Sequence, residues 1–127
     1  MNAMDFENIS PETFRQYQKE HGEREYLLVD VRQPEEYTQE HIPGSKLMPL
    51  DELESNLAEL PAEKDIFFYC RSGARSQAAA IISLDSGNSL QKVYNLIGGM
   101  LGWDGQSLAD FPRMAVFEED ASMPDLM

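Results

Sequence analysis

Two short apolar runs that break off abruptly into polar loops constrain this chain more than any other feature. Tyr26-Leu27-Leu28-Val29 runs on to Asp30, Val31 and Arg32, and Asp65-Ile66-Phe67-Phe68-Tyr69 delivers Cys70 to the segment Arg71-Ser72-Gly73-Ala74-Arg75-Ser76. Short unbroken runs of this kind are buried on both faces, as strands of a parallel sheet are. Helical signals separate them. Ser10-Pro11-Glu12 is a helix start, with Ser as N-cap, Pro at the first position and an acid in the first turn, and Gly22 ends that helix. Pro34-Glu35-Glu36-Tyr37 restarts a short one. A further helix is expected over residues 50–60, capped by Asp51, with Leu53, Leu57 and Leu60 on one face and Pro61 as its stop. Another is expected from about Ser76 to Asp85, Ala-rich enough to approach a sheet closely. Val93-Tyr94-Asn95-Leu96 reads as a further strand. Strands alternating with helices imply right-handed crossovers and an α/β fold, a parallel sheet with helices on both faces. Ligands of such sheets bind outside the strands' carboxyl ends, so Asp30 and Cys70 are expected on one rim.

The length, 127 residues, suits one domain with its own core. Ten basic against 23 acidic residues give a formal net charge of −13, which disfavours nucleic acid and anionic membrane as partners. A small anion answers to the local field instead, and Arg71 and Arg75 form a basic island. The lone cysteine permits no internal disulfide and fits a reducing compartment. The first residues lack the basic start and apolar stretch of a secretory signal, and no apolar run approaches the ~20 residues that cross a bilayer. A soluble, cytoplasmic protein is expected. The domain is expected over residues 6–105. Residues 111–127 are acidic and aperiodic, and are expected to form a poorly ordered or loosely docked tail.

Cys70 is placed as a nucleophile would be, at the end of a buried strand and just ahead of a helix expected to begin near Ser76 and Gln77. Unpaired backbone N–H groups at a helix start favour a thiolate or a bound anion. Thiolates in such settings beside cations have pKa values lowered from ~8.5 to roughly 3.5–7.5, so Cys70 is expected to be largely thiolate at neutral pH, with Arg71 and Arg75 contributing. Gly73 permits a positive φ that lets successive N–H groups converge on the sulfur, and Ala74 keeps the rim open. Asp30 either bonds the loop or caps its own turn; the residues leave both open. Arg32 and Glu36, four apart, are expected to form an ion pair. His41, ahead of Pro43-Gly44, suits a turn, and Trp103 a core anchor behind Gly98-Gly99. No cluster has metal-ligand spacing, and phosphate-loop and dinucleotide fingerprints are absent, so no cofactor is expected.

Four segments in order, Asp30-Val31-Arg32 with Glu36-Tyr37, His41-Ile42-Pro43-Gly44-Ser45, the loop from Cys70 to Ser76, and Gly98-Gly99-Met100-Leu101-Gly102-Trp103, make this chain resemble the rhodanese family of single-domain sulfurtransferases. The resemblance implies an α/β domain around a five-stranded parallel sheet. It also implies a reaction in which the Cys70 thiolate takes a sulfane sulfur from thiosulfate or a related donor, holds it as a persulfide and passes it to cyanide or a thiol. Cys70 would then be the catalytic residue, Arg71, Ser72, Gly73, Ala74, Arg75 and Ser76 would bind the small anionic donor, and Asp30 and Arg32 would support the loop. With no second cysteine, the acceptor is expected to be cyanide or an external thiol, either small or carried by a thiol-bearing protein. Two alternatives stand beside this reading. One is a non-catalytic rhodanese-like binding or regulatory module. The other is a cysteine phosphatase or arsenate reductase, whose loops place one more residue between Cys and Arg than the four found here, and for which Asp104 or Asp110 would have to serve as general acid.

Overall fold

A computed structural model describes residues 6–85, 92–105 and 107. Five strands, β1 (Glu7–Ile9), β2 (Tyr26–Asp30), β3 (Lys46–Leu47), β4 (Asp65–Tyr69) and β5 (Val93–Leu96), pair in the order β1-β5-β4-β2-β3, all parallel. The helices are α1 (Pro11–Glu20), α2 (Pro34–Gln39), α3 (Leu50–Leu53), α4 (Ala74–Asp85) and α5 (Gly99–Gly102). β4 lies at the centre and is buried from Ile66 to Tyr69, as its unbroken apolar run requires. Because side chains alternate across a strand, Ile66, Phe68 and Cys70 join one core cluster with Val29, Val31, Leu53, Ala79 and Ala80, between the sheet and the α3/α4 layer. Phe67 and Tyr69 join the other with Phe14, Leu28 and Leu96, on the side of α1. Helices therefore cover both faces.

The order of the strands decides where a site can form. From β2 the chain leaves through α2 to β3 on one side; from β4 it leaves through α4 to β5 on the other. The crevice where connections part is thus at the carboxyl ends of β2 and β4, which are neighbours with Asp30 opposite Tyr69, and this is where ligands of open α/β sheets bind.

Local structure departs from the sequence expectations in several places, and α1 already ends at Glu20, capped by His21 rather than Gly22. Two strands escape a pattern search because they are too short to show one: β1 has three residues and β3 two. The helix expected over residues 50–60 is a single α turn, capped at Pro49 rather than Asp51, that continues as a 3-10 stretch from Glu54 to Glu59. Asn56 leaves helical geometry there, and its side-chain amide donates to the Glu52 carbonyl, the local competition that makes Asn a poor interior residue. α4 starts at Ala74, two residues before the expected Ser76, because Gly73 at φ 115° turns the chain and its carbonyl already accepts from Gln77 N–H. The residues expected to form a C-terminal tail lie outside the described residues. Among those described, no helix is long and apolar enough to cross a membrane.

Candidate active site

Cys70 leaves β4 at the crevice and is 1% exposed. The chain turns back over it at Gly73, so that the amides of Gly73 and Ser76 donate to Sγ at 3.1 and 3.4 Å. The Ser76 hydroxyl lies 3.4 Å from Sγ. Ser76 is the third residue of α4, and the sulfur thus occupies the place an N-cap oxygen takes at an ordinary helix start. Burial pushes the thiol pKa up. The Ser76 hydroxyl and the amides of Ser76, Gly73 and Ser72 outweigh it, leaving Cys70 below its ordinary value. Hydrogen bonds aimed at the charged form favour that form and so lower the pKa.

The cations expected to perform this task are arranged otherwise. Arg75 forms a two-pronged pair with Glu36 of α2, Nη1 to Oε1 at 2.8 Å and Nη2 to Oε2 at 3.0 Å, fastening α4 to α2 across the crevice. Arg75 holds the Glu36 carboxyl down to about 2, assisted by the Gln33 amide and against a smaller push from burial. Arg75 therefore arrives at the site with most of its charge answered. Arg71 is exposed, and among the described residues it has no ion pair. Ser72 and Ala74 are exposed on the rim.

The expected ion pair between Arg32 and Glu36 does not form. Arg32 turns back to Asp30: its backbone N–H and Nε donate to Oδ1 at 2.9 and 3.0 Å, and Nη2 donates to Oδ2 at 2.7 Å. Nη2 also donates to the Glu40 carbonyl at 2.6 Å. Both residues are buried, so Asp30 needs every one of these donors, and a buried carboxylate takes the nearest complete partner. Asp30 thus caps its own turn, and its guanidinium partner comes from that turn rather than from the Cys70 loop. His41 also proves structural: Nδ1 bonds the Tyr37 carbonyl at 2.9 Å, and the ring stacks on Tyr37 at 3.7 Å. Trp103 is partly buried against the α1-side cluster, with Phe14 6.2 Å away. Asp104 is paired with Arg15 at 3.1 Å, and Asp110 lies outside the described residues.

The roof of the loop comes from the Gly98-Gly99 segment. Met100 N–H donates to the Cys70 carbonyl at 2.9 Å and Leu101 N–H to the Arg71 carbonyl at 3.0 Å. The approach is so close that a Cβ on Gly99, whose φ is 53°, would stand 2.2 Å from the Cys70 carbonyl oxygen. Only glycine fits. Sequence reasoning missed one participant altogether. Asn95, 4% exposed on β5, accepts the Ser76 hydroxyl proton on Oδ1 at 2.5 Å and passes a bond from Nδ2 to Asn8 Oδ1 at 3.1 Å. A polar residue inside a four-residue apolar strand was the available signal.

A second group of basic residues lies elsewhere, with Glu23 among them. A cavity of about 790 Å³ near the amino ends of β2, β3 and β4 is lined by Arg15, Lys19, Arg24, Lys46 and Lys64, with Trp103 at its side. Half of the chain's ten basic residues are there.

Comparison with known proteins agrees with this geometry. The model of the rhodanese-like domain matches residues 11–106. A putative sulfur carrier protein, YrkF of Bacillus subtilis, is 38% identical over 106 residues, which are 84% of this chain and 55% of that protein. A sulfurtransferase of Allochromatium vinosum is 34% identical over 103 residues, 81% of this chain and 88% of that protein. The chain thus spans about half of the first relative and most of the second. Among solved structures, a rhodanese-related protein of Thermoplasma volcanium superposes with a TM-score of 0.69 at 25% identity, covering 83% of this chain and all of that one. Five parallel strands in this order, the crevice between β2 and β4, and a match across most of the sequence lead to one conclusion: the chain belongs to the family of rhodanese-like domains.

Proposed function

We propose that this protein is a sulfurtransferase that carries a sulfane sulfur on Cys70. One observation carries the reading: three amides and one hydroxyl converge on a single buried sulfur and hold its pKa down. The thiolate attacks the outer sulfur of thiosulfate or a related donor; the S–S bond of the donor breaks, sulfite or the donor's thiolate leaves with the electron pair, and Cys70 keeps the sulfur as a persulfide. An external thiolate or cyanide then attacks that outer sulfur, and Cys70 leaves as thiolate. Donors already aimed at the sulfur need no reorganisation as charge moves between it and the leaving group.

The loop residues Arg71, Ser72, Gly73, Ala74, Arg75 and Ser76 bind the donor in this reading, with Asp30 and Arg32 holding the end of β2 beneath them. The second half-reaction needs an outside acceptor, because Cys70 is the chain's sole cysteine. Exposed Leu101, at 64%, follows Met100 beside exposed Arg71 and suits a thiol carried by a protein as well as a small one. The need for the thiolate to stay reduced between turnovers supports a cytoplasmic location. The intact cradle argues against a non-catalytic module, and its short span against phosphate or arsenate as substrate.

The test is direct. Incubation of the protein with thiosulfate, followed by intact-mass analysis, should show one added sulfur that maps to Cys70, and cyanide should release it as thiocyanate. Failure to load with thiosulfate, glutathione persulfide or any other sulfane donor would leave the binding module, whereas hydrolysis of an aryl phosphate would identify a phosphatase.

A further inference from the structure

The Ser76 hydroxyl has one proton and two claimants. It lies 3.4 Å from the Cys70 sulfur and 2.5 Å from Asn95 Oδ1. While that proton points at Asn95, Ser76 Oγ can only accept, which suits a neutral thiol donating S–H. A thiolate can only accept, so its contact with Ser76 becomes a hydrogen bond when the O–H turns to the sulfur, and Oγ then faces Asn95 Oδ1 lone pair to lone pair. Asn95 is buried, so no water relieves the clash. A half-turn of its amide does, since it replaces Oδ1 with Nδ2 in nearly the same place. Nδ2 then donates to Ser76 Oγ. The half-turn also reverses the other end of the amide, where Asn95 Nδ2 donates to Asn8 Oδ1 at 3.1 Å. Asn8, on the edge strand β1, must present its own Nδ2 there, and it is exposed, so water serves it in either orientation.

We propose that Asn95 and Asn8 are positioning residues forming an amide relay, in which both side-chain amides turn over whenever Cys70 changes between thiol and thiolate. The relay leaves the buried hydroxyl satisfied in both states of the sulfur, which a fixed acceptor at position 95 would not. On ionisation the sulfhydryl proton goes to water. The Ser76 proton stays on Oγ and reorients, and no proton travels along the amides, which exchange only donor and acceptor roles. The inference rests on the reading of Cys70 as a thiolate nucleophile, and it extends the machinery to the opposite edge of the sheet.

Charged groups cannot replace this link. Around the sulfur stand Arg75 of α4 with its Glu36 partner on α2, Arg71 in the loop, and the closed Asp30–Arg32 pair at the end of β2. β5 and α5, which pack on the same side of the loop as Asn95, bring no charged side chain of their own.

In the full chain, the side-chain amide resonances of Asn95 and Asn8 should move with pH at one midpoint, equal to that for alkylation of Cys70 by the neutral reagent iodoacetamide, and should be flat in Cys70→Ser. Asn8→Asp supplies an acceptor alone and holds Asn95 in the thiol-side orientation. Alkylation at neutral pH should then slow at least threefold and stay slow in 1 M salt, where a plain field effect is screened within about 3 Å. Asn8→Ala, which lets water take either role, should alkylate at least twofold faster than Asn8→Asp in 1 M salt. Amide resonances indifferent to the Cys70 titration, or Asp and Ala variants that behave alike in 1 M salt, would overturn the relay. None of these readouts uses a sulfur donor, so failure of the sulfurtransferase reading would appear separately, in the absence of persulfide on the unmodified protein.

Discussion

The Cys70 cradle and the cavity at the amino ends of the strands assemble groups that attract negative charge by opposite means. The cavity gathers five cationic side chains, of which only Arg15 has an ion pair among the described residues. The cradle has two arginines, one of them closed on Glu36, and relies on backbone amides and a hydroxyl within 3.4 Å of the sulfur. The difference teaches what each can stabilise. Free side-chain charges reach far and are blurred by solvent and salt, acting over about 8 Å at physiological ionic strength. Aimed dipoles act only on the atom they touch, but keep their effect in a buried site. A thiolate that must gain and lose negative charge in place is served by the second kind.

Replacing Gly99 by Ala should do the largest damage, because it strikes the cradle's backbone and leaves every charge unchanged. A methyl group at φ 53° and 2.2 Å from the Cys70 carbonyl must displace the loop, at a cost of about 2–4 kcal/mol of stability. Sulfur transfer should fall by roughly 100-fold or more; retention of activity would mean that the aimed donors matter less than the side-chain charge. Ser76→Ala comes next. Losing a hydrogen bond to a charged group of about 1.5–3 kcal/mol should raise the alkylation pKa of Cys70 and slow transfer at neutral pH about tenfold, more than Arg71→Ala does. An Arg71 variant with the larger pKa change would reverse the comparison.

Glu36→Gln sharpens it by moving the cradle towards the cavity's design. Arg75 is released, so the KM for dianionic thiosulfate should fall by about two- to fivefold, and the gain should shrink in high salt, whereas Arg75→Ala should raise KM. The same substitution has a pH signature. Glu36 has a folded pKa near 2 against an ordinary 4.5, so its contribution to stability is fully present above 4.5 and is lost as pH falls towards 2. Melting temperature measured downward through that window should drop more steeply in the parent than in Glu36→Gln. Smallest of all, neutralising Lys46 and Lys64 together by Gln should leave sulfur transfer within about twofold, since the cavity lies at the other end of the strands. A larger loss would join the two regions electrically.

How much of this was legible depended on whether a residue's role is written in its neighbours along the chain. The run from Phe67 to Cys70 and the following Gly73 are local signals, and they gave the buried strand, the turn and the place of Cys70 at the strand's end. Strands of two and three residues have no period to detect, so β1 and β3 could be inferred only through family likeness. Pairing preferences were the weakest point. Arg32 and Glu36 stand four apart and invite a pair, yet Arg32 reaches Asp30 two residues back and Glu36 reaches Arg75, which is 39 residues on. Burial of Asp30 and the juxtaposition of α2 with α4 decide those partnerships, and neither is a property of the intervening sequence. Asn95 stands out as a polar residue in an apolar strand, but its partners, 19 and 87 residues away, are hidden for the same reason.

The bonds from Met100 and Leu101 to the carbonyls of Cys70 and Arg71 have a consequence for transplantation. In a trans peptide the carbonyl and the N–H point in opposite directions, so tying the Arg71 carbonyl to α5 obliges the Ser72 N–H to face the sulfur. The inward aim of the loop is thus set by a segment almost thirty residues downstream. A heptapeptide copied from Cys70 to Ser76 into another scaffold would bring the residues without their orientation; the smallest portable unit of this reactivity is the loop together with Gly98 to Leu101.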